Sequence, residues 1–209
     1  MKKSVVIIDY GMGNVGSVKN ALTFLGQEAI ISSQPKDLEE AHRLILPGVG
    51  AFADGMKNLA ESGFLPSLES EVLTKKKPIL GLCLGMQLFA EEGEEGGLNK
   101  GLGWIKGRVR KFLVEETKFK VPHVGWNDIY PREDSLLFCG VKRPIFYFVH
   151  SYHLVPEDRG IVAAESEYGE RFVAAIEKDN IFGLQFHPEK SQQEGLRVLE
   201  NFLNYHFDF

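Results

Sequence analysis

Short apolar runs rich in β-branched residues alternate, in the first half of the chain, with stretches whose apolar positions recur every three or four residues. The run "SVVIID" (4–9) is followed by Val15, Val18, Ala21, Leu22 and Leu25, after which Gly26 supplies a stop. The run reads as a strand buried on both faces and the recurrence as one stripe of a helix. The rhythm returns through "EAIISS" (28–33), "RLILPG" (43–48), a helical stretch around 52–75, and "PILGLC" (78–83) leading into a helix over "LGMQLFAEEGEE". Buried strands separated by helices predict a parallel sheet with right-handed crossovers.

From about residue 103 the pattern changes to strand-like segments: "GWIKGRVRKF", "KVPHVGWNDIY", "PIFYFVHSYHLV", "IVAAESE", "RFVAAIE" and "NIFGLQFH", with short turns at 168–170 and 179–180. These add antiparallel strands. Ser191 followed by Glu194 spells a capping box, and Leu196, Leu199, Phe202 and Leu203 then form the apolar stripe of a closing helix. "KKK" (75–77) and "EEGEEGG" (91–97) read as solvated helix ends or loops. The fold class is α/β: an open, mixed but mainly parallel sheet flanked by helices.

Composition narrows the function. A length of 209 residues predicts one domain, and 44% hydrophobic with 25% charged residues is the mix of a soluble globular protein. The net charge of −5 disfavours nucleic acid as a partner and points to a small ligand. No apolar run approaches the ~20 residues of a membrane span, and the opening "MKKSVVIIDYG" meets an acid too early for a signal peptide, so a cytoplasmic protein is expected. Cys83 and Cys139 are the two cysteines; without CxxC spacing they suggest neither a disulfide framework nor a structural zinc site.

"GMGNVG" (11–16), between a strand and a helix, spells the glycine fingerprint of dinucleotide-binding folds. That fingerprint also needs an acid at the end of the second strand to hold ribose hydroxyls, and here the strand ends "ISSQP". The glycines therefore read as a tight β-to-α turn.

"GLCLG" (81–85) carries more. Cys83 occupies a sharp strand-to-helix elbow, of the kind that presents a nucleophile above a sheet, and Gly81 and Gly85 leave room for the tight backbone. A thiol at a helix N-terminus faces unpaired N–H groups that favour thiolate. "QFHPE" places His187 just past an apolar strand with Glu189 two residues on, the same side of an extended segment that Pro188 helps keep extended. Together these make nucleophile, base and orienter: Cys83, His187, Glu189. The backbone N–H of Leu84 is one candidate oxyanion donor. "PGVG", with Gly48, Val49 and Gly50 at the end of a strand, is a candidate for the other or else a plain turn.

"PGVG", "GLCLGMQLF" and "FHPEKSQ", in that order, resemble the triad (class I) glutamine amidotransferases over nearly the whole chain. "DYGMGNVGSV", "PHVGWN", "FVHSYH" and "HPEKSQ" are similar, more narrowly, to the glutaminase subunits of imidazole glycerol phosphate synthases. The resemblance implies a flavodoxin-like sheet and a reaction with no cofactor or metal. In it Cys83 attacks the side-chain amide of glutamine, His187 protonates departing ammonia, and water releases glutamate from a thioester. It implies that Gln87, and His150, Ser151 and Tyr152, help hold glutamine. It also implies a heterodimer with a cyclase subunit, which takes the ammonia through a channel to build the imidazole ring and release the purine-pathway carboxamide. Gly11, Met12, Gly13, Asn14, Trp126 and Lys190 would lie near that partner. His150 and His153 could suggest a metal, but no third ligand recurs at workable spacing. The alternatives are the glutaminase of another synthase, making anthranilate or pyridoxal phosphate, a free-standing cysteine hydrolase or protease, and a nucleotide-binding module.

Overall fold

The computed structural model describes residues 4–115 and 117–205. Met1–Lys3, part of the stretch weighed as a leader segment, lie outside the described residues. The strands are β1 (Val5–Ile8), β2 (Ala29–Ser32), β3 (Arg43–Gly48), β4 (Ile79–Cys83), β5 (Ala90–Gly93), β6 (Asn99–Lys100) and β7 (Ile105–Lys111). They continue as β8 (His123–Pro131), β9 (Ile145–His150), β10 (Tyr152–Pro156), β11 (Val162–Glu167), β12 (Arg171–Lys178) and β13 (Ile181–Leu184). The α-helices are α1 (Val15–Phe24), α2 (Phe52–Glu61), α3 (Phe64–Leu68), α4 (Leu84–Gln87) and α5 (Gln192–Asn204).

A nine-stranded sheet in the order β2-β1-β3-β4-β13-β12-β11-β8-β9 forms the frame, and β10-β7-β5-β6 make a smaller second sheet. Strands β2, β1, β3, β4 and β13 run parallel, and β12, β11, β8 and β9 continue antiparallel; the first-half strands are parallel as predicted, but of the second-half strands expected to be antiparallel, β13 joins β4 in parallel and β7 joins β5 in parallel. Successive residues of β1 enter different apolar layers: Val5 and Ile7 pack with Val18, Leu22, Val198 and Phe202, whereas Val6 and Ile8 pack with Phe52, Leu59 and Phe64. That is the period-two consequence of a strand covered on both faces.

Three expectations need correction. The helical stretch 52–75 breaks at Gly63, whose φ is +76°, and ends in a π-turn over Glu69–Thr74. The helix after Cys83 is one turn long, and the acidic stretch beyond it begins as strand β5. Phe89 and Ala90 are fully buried, the Phe89 carbonyl accepts from the N–H groups of Trp104 and Ile105, and β5 pairs with β7 and β6. Pairing with a distant strand thus overrides a helical pattern that is only local.

The third correction concerns Ser191. It stands at the N-cap of α5, but its hydroxyl makes no capping bond. Instead Oγ donates to the His187 carbonyl (2.6 Å) and accepts from the Tyr147 N–H (3.0 Å). Glu194 does not reach back to Ser191 either; its carboxylate accepts from the N–H groups of Lys142 and Arg143.

Candidate active site

Parallel strands place their carboxyl ends on one edge, and the register here aligns three of them. Gly48 stands opposite Cys83, and Leu184 opposite Leu82. The chain leaving β13 therefore carries Gln185 and His187 past the end of β4, where Cys83 turns. Two residues 104 positions apart are brought together by strand order alone.

Cys83 has φ +53° and ψ −108°, a conformation that costs an L-residue on the order of 1–3 kcal/mol. Its neighbours hold it there. Leu82 and Leu84 are almost wholly buried, each adding roughly 1.5–3 kcal/mol of apolar burial. The turn is so tight that a Cβ on Gly85 would lie 1.9 Å from the Leu46 carbonyl oxygen, and one on Gly81 2.7 Å from the Met86 nitrogen. Because α4 has a single turn, any helix-terminal field at the thiol comes from that turn's free N–H groups, not from a long aligned dipole.

His187 Nδ1 lies 2.9 Å from Glu189 Oε1, with side chains 3% and 2% exposed. The carboxylate reaches the ring from a 3₁₀ turn over Pro188–Lys190, which corrects the expectation of an extended segment. Pro188 opens that turn because its fixed φ suits a first helical position. The His187 N–H donates to the Tyr147 carbonyl (2.9 Å), so β9 and Ser191 hold the backbone of the imidazole from two directions. Burial presses the His187 pKa down, but the Cys83 sulfur and then the Glu189 carboxylate overcome it and raise it to about 10. Nε2 itself is buried and makes no hydrogen bond of ordinary geometry among the described residues, although the Cys83 sulfur lies near enough to act on the ring.

Cys83 opens onto a cavity of about 360 Å³ lined also by Val49, Gly50, Leu84, Gln87, His150, Ser151 and Tyr152. The predicted substrate-contact residues thus share one wall, with one exception. Gly48 is buried behind it, where a Cβ would lie 2.8 Å from each of the Gly85 nitrogen, Leu84 Cβ and the Tyr10 hydroxyl. Pro122, Val149, Ala51 and Glu95 complete the lining.

Gln185, Tyr10 and His123 were not singled out in the sequence, and Ser191 only as a helix cap. Gln185 is fully buried, and its Nε2 donates to the Cys83 sulfur at 3.7 Å while its Oε1 accepts from Gln87 Nε2 at 3.0 Å. Gln87 Nε2 also donates to the Tyr152 carbonyl at 2.9 Å, so both its amide hydrogens are engaged and its oxygen is what it offers to a ligand. Two-residue alternation in "QFH" was the available signal: Gln185 shares a face with His187. Burial pushes the Tyr10 hydroxyl pKa up, with Cys83 adding to it, and the hydroxyl has no hydrogen-bond partner among the described residues.

The glycine-rich opening lies against the same edge. A Cβ on Gly13 would meet Pro47 at 3.2 Å, and one on Gly50 would meet Met12 Cε at 2.9 Å. Gly11 is exposed, and Asn14 caps α1 by accepting the Ser17 N–H. Trp126 is half exposed and meets Tyr147 edge-on, and Lys190 sits 5.7 Å over the same Tyr147 ring. Cys139 is exposed. His150 and His153 face different groups: His150 Nδ1 lies 2.9 Å from the Tyr152 carbonyl, whereas His153 Nε2 lies 3.6 Å from Glu170 without a hydrogen bond among the described residues.

A family model described as glutamine amidotransferase class-I matches residues 6–205. An imidazole glycerol phosphate synthase subunit HisH 1 of Campylobacter jejuni (strain RM1221) is 50% identical over 95% of this chain and 98% of its own. The HisH subunit of Aquifex aeolicus (strain VF5) is 47% identical over 94% of each chain. A solved structure of PurLQS from Thermotoga maritima superposes with a TM-score of 0.75 at 21% identity, over 98% of this chain and 99% of that one, and shows the shared fold. With that extent of likeness the chain belongs to the class-I glutamine amidotransferases and, among them, to the HisH subunits of imidazole glycerol phosphate synthase.

Proposed function

We propose that Cys83, His187 and Glu189 hydrolyse glutamine to glutamate and ammonia, and that the ammonia passes to a cyclase subunit which closes the imidazole ring of imidazole glycerol phosphate. The observation that carries this reading is the buried His187–Glu189 pair, with the ring beside the elbow sulfur. In the first half-reaction the sulfur forms a C–S bond to the side-chain carbonyl carbon of glutamine. The resulting oxyanion is met by N–H groups of Leu84 and of the 48–50 segment, each such donor being worth ~3–4 kcal/mol of barrier. The C–N bond then breaks, and His187 Nε2 gives its proton to the departing ammonia. Water, losing a proton to the same nitrogen, attacks the thioester and releases glutamate with the sulfur restored.

Glutamine sits in the cavity with its amino and carboxylate groups toward His150, Ser151, Tyr152 and the Gln87 oxygen. With both Nε2 hydrogens engaged, that oxygen is the acceptor Gln87 has left, which suits an ammonium group. The cyclase docks over Gly11–Asn14, Trp126 and Lys190. Half-exposed Val124 and Trp126 supply apolar area there, and the 11–13 loop already touches the 47–50 segment.

An electrophilic glutamine analogue tests the chemistry. One adduct is expected on Cys83 and none on exposed Cys139, and Cys83→Ala abolishes labelling. Ammonia release from glutamine as fast without the cyclase as with it would favour a free-standing hydrolase.

A further inference from the structure

One backbone carbonyl in the cavity wall orders two chains of hydrogen bonds. The Tyr152 oxygen accepts from Gln87 Nε2 on one side, and Gln87 leads through Gln185 to the Cys83 sulfur. On the other side the same oxygen lies 2.9 Å from His150 Nδ1. A carbonyl can only accept, so Nδ1 carries the proton, and in a neutral ring Nε2 is then an acceptor. His150 Nε2 lies 3.1 Å from His123 Nδ1, which must therefore be the donor.

The far end dictates the same direction independently. Asn127 Oδ1 accepts the N–H of Asp128 at 2.9 Å, which fixes the orientation of the amide. Its Nδ2 then donates to the Glu167 carbonyl at 2.9 Å and faces His123 Nε2 at 3.4 Å. Read from either end, the chain runs one way, from Asn127 through His123 and His150 to the Tyr152 carbonyl. Burial holds both rings neutral, which a one-way chain requires: His123 is pushed down to about 4 and His150 well below the ordinary histidine range.

His123 is 3% exposed and does not line the cavity. Its ring is sandwiched between Tyr168 (4.1 Å between centroids) and Phe148 (5.0 Å). Packing could account for an aromatic ring there, but it gives no reason for a nitrogen aimed at His150.

We propose that His123 is a positioning residue for glutamine binding: by donating to His150 it fixes the tautomer and the carbonyl on which the 150–152 wall and Gln87 both hang. This rests on the glutaminase reading of the cavity.

Two substitutions separate positioning from packing. His123→Phe keeps an aromatic ring in the sandwich and removes the donor. His123→Asn loses the ring and keeps an amide nitrogen close to the position of Nδ1. Glutamine turnover is measured for wild type and both variants in the complex with the cyclase, alongside thermal unfolding midpoints. For His123→Phe, KM is expected to rise about tenfold, the equivalent of one net hydrogen bond, with kcat within about twofold. For His123→Asn, KM stays within about threefold of wild type although this variant unfolds at the lower temperature. ¹⁵N NMR of the wild type should show His150 protonated at Nδ1 and bare at Nε2.

A KM that follows stability, worse for Asn than for Phe, overturns the proposal. So do an unchanged KM in both variants, a change confined to kcat, and a proton on His150 Nε2. A wild-type complex that releases no ammonia from glutamine overturns the glutaminase reading itself, an outcome distinct from all of these.

Discussion

His187 Nδ1 and Glu189 Oε1 stand 2.9 Å apart with both side chains closed to solvent, so the carboxylate holds the ring in one orientation and favours its charged form. Glu189→Gln keeps an oxygen to accept the Nδ1–H but supplies no charge. The imidazole pKa is expected to fall, because burial then meets less opposition. With the imidazolium less stabilised, kcat for glutamine should drop by roughly 10²- to 10⁴-fold, the range in which orienting acids act in such triads. NMR titration of His187 and steady-state ammonia release check the two halves separately.

The raised His187 pKa also makes stability depend on pH. An unfolded histidine titrates near about 6.5, whereas in the fold the group holds its proton to about 10. Between those values the native state binds more protons than the unfolded one, so this contribution is full below about 6.5 and is lost as pH rises through about 10. Urea unfolding of wild type and His187→Asn at pH 7 and pH 10 tests the sign: the difference between the two proteins that comes from this charge shrinks at the higher pH.

Gly85 has no space for a methyl group, since the atom in the way is the Leu46 carbonyl oxygen of the neighbouring strand. Relieving that clash means parting β3 from β4 beside the nucleophile. Gly85→Ala is expected to cost at least ~3 kcal/mol, equivalent to a fall of roughly 10 °C in melting temperature. Gly26→Ala serves as the control: that position has open space and only its φ of +71° to resist substitution. Calorimetry on both variants decides whether the elbow is unusually intolerant.

Ser191 looks like a helix cap in the sequence and ties β9 to His187 in the structure. Ser191→Ala removes both bonds and leaves buried partners without them, at a cost of about 1–3 kcal/mol. If the hydroxyl served α5 alone, kcat would be unchanged in the folded variant. Freeing the His187 carbonyl should instead lower kcat by about tenfold or more, with less effect on KM. Comparing kcat and KM for Ser191→Ala with those of Glu194→Ala, which loosens only the 142–143 backbone, separates the two roles.

The sequence by itself marked most strands of the large sheet and singled out Cys83, His187 and Glu189, which the fold then carries to one edge. An apolar run of four to six residues must be buried on both faces wherever it lies. A cysteine between close-packed glycines at a strand end is legible as an elbow, and a histidine two residues before a glutamate as a pair, although the pair meets through a 3₁₀ turn and not an extended segment. Tertiary structure decided what each polar group would bond to. "LFAEEG" became a turn and strand β5 because β7 lay alongside to take its backbone groups. Ser191 turned from its helix to the Tyr147 N–H because β9 arrives there. Gln185 and His123 read as unremarkable polar residues until β13 came to lie beside β4, and β8 beside β9, which set them facing Cys83 and His150. Periodicity and turn chemistry are local and can be read along the chain. The partner of a buried donor is chosen by strand order, and it exists only once the sheet has closed.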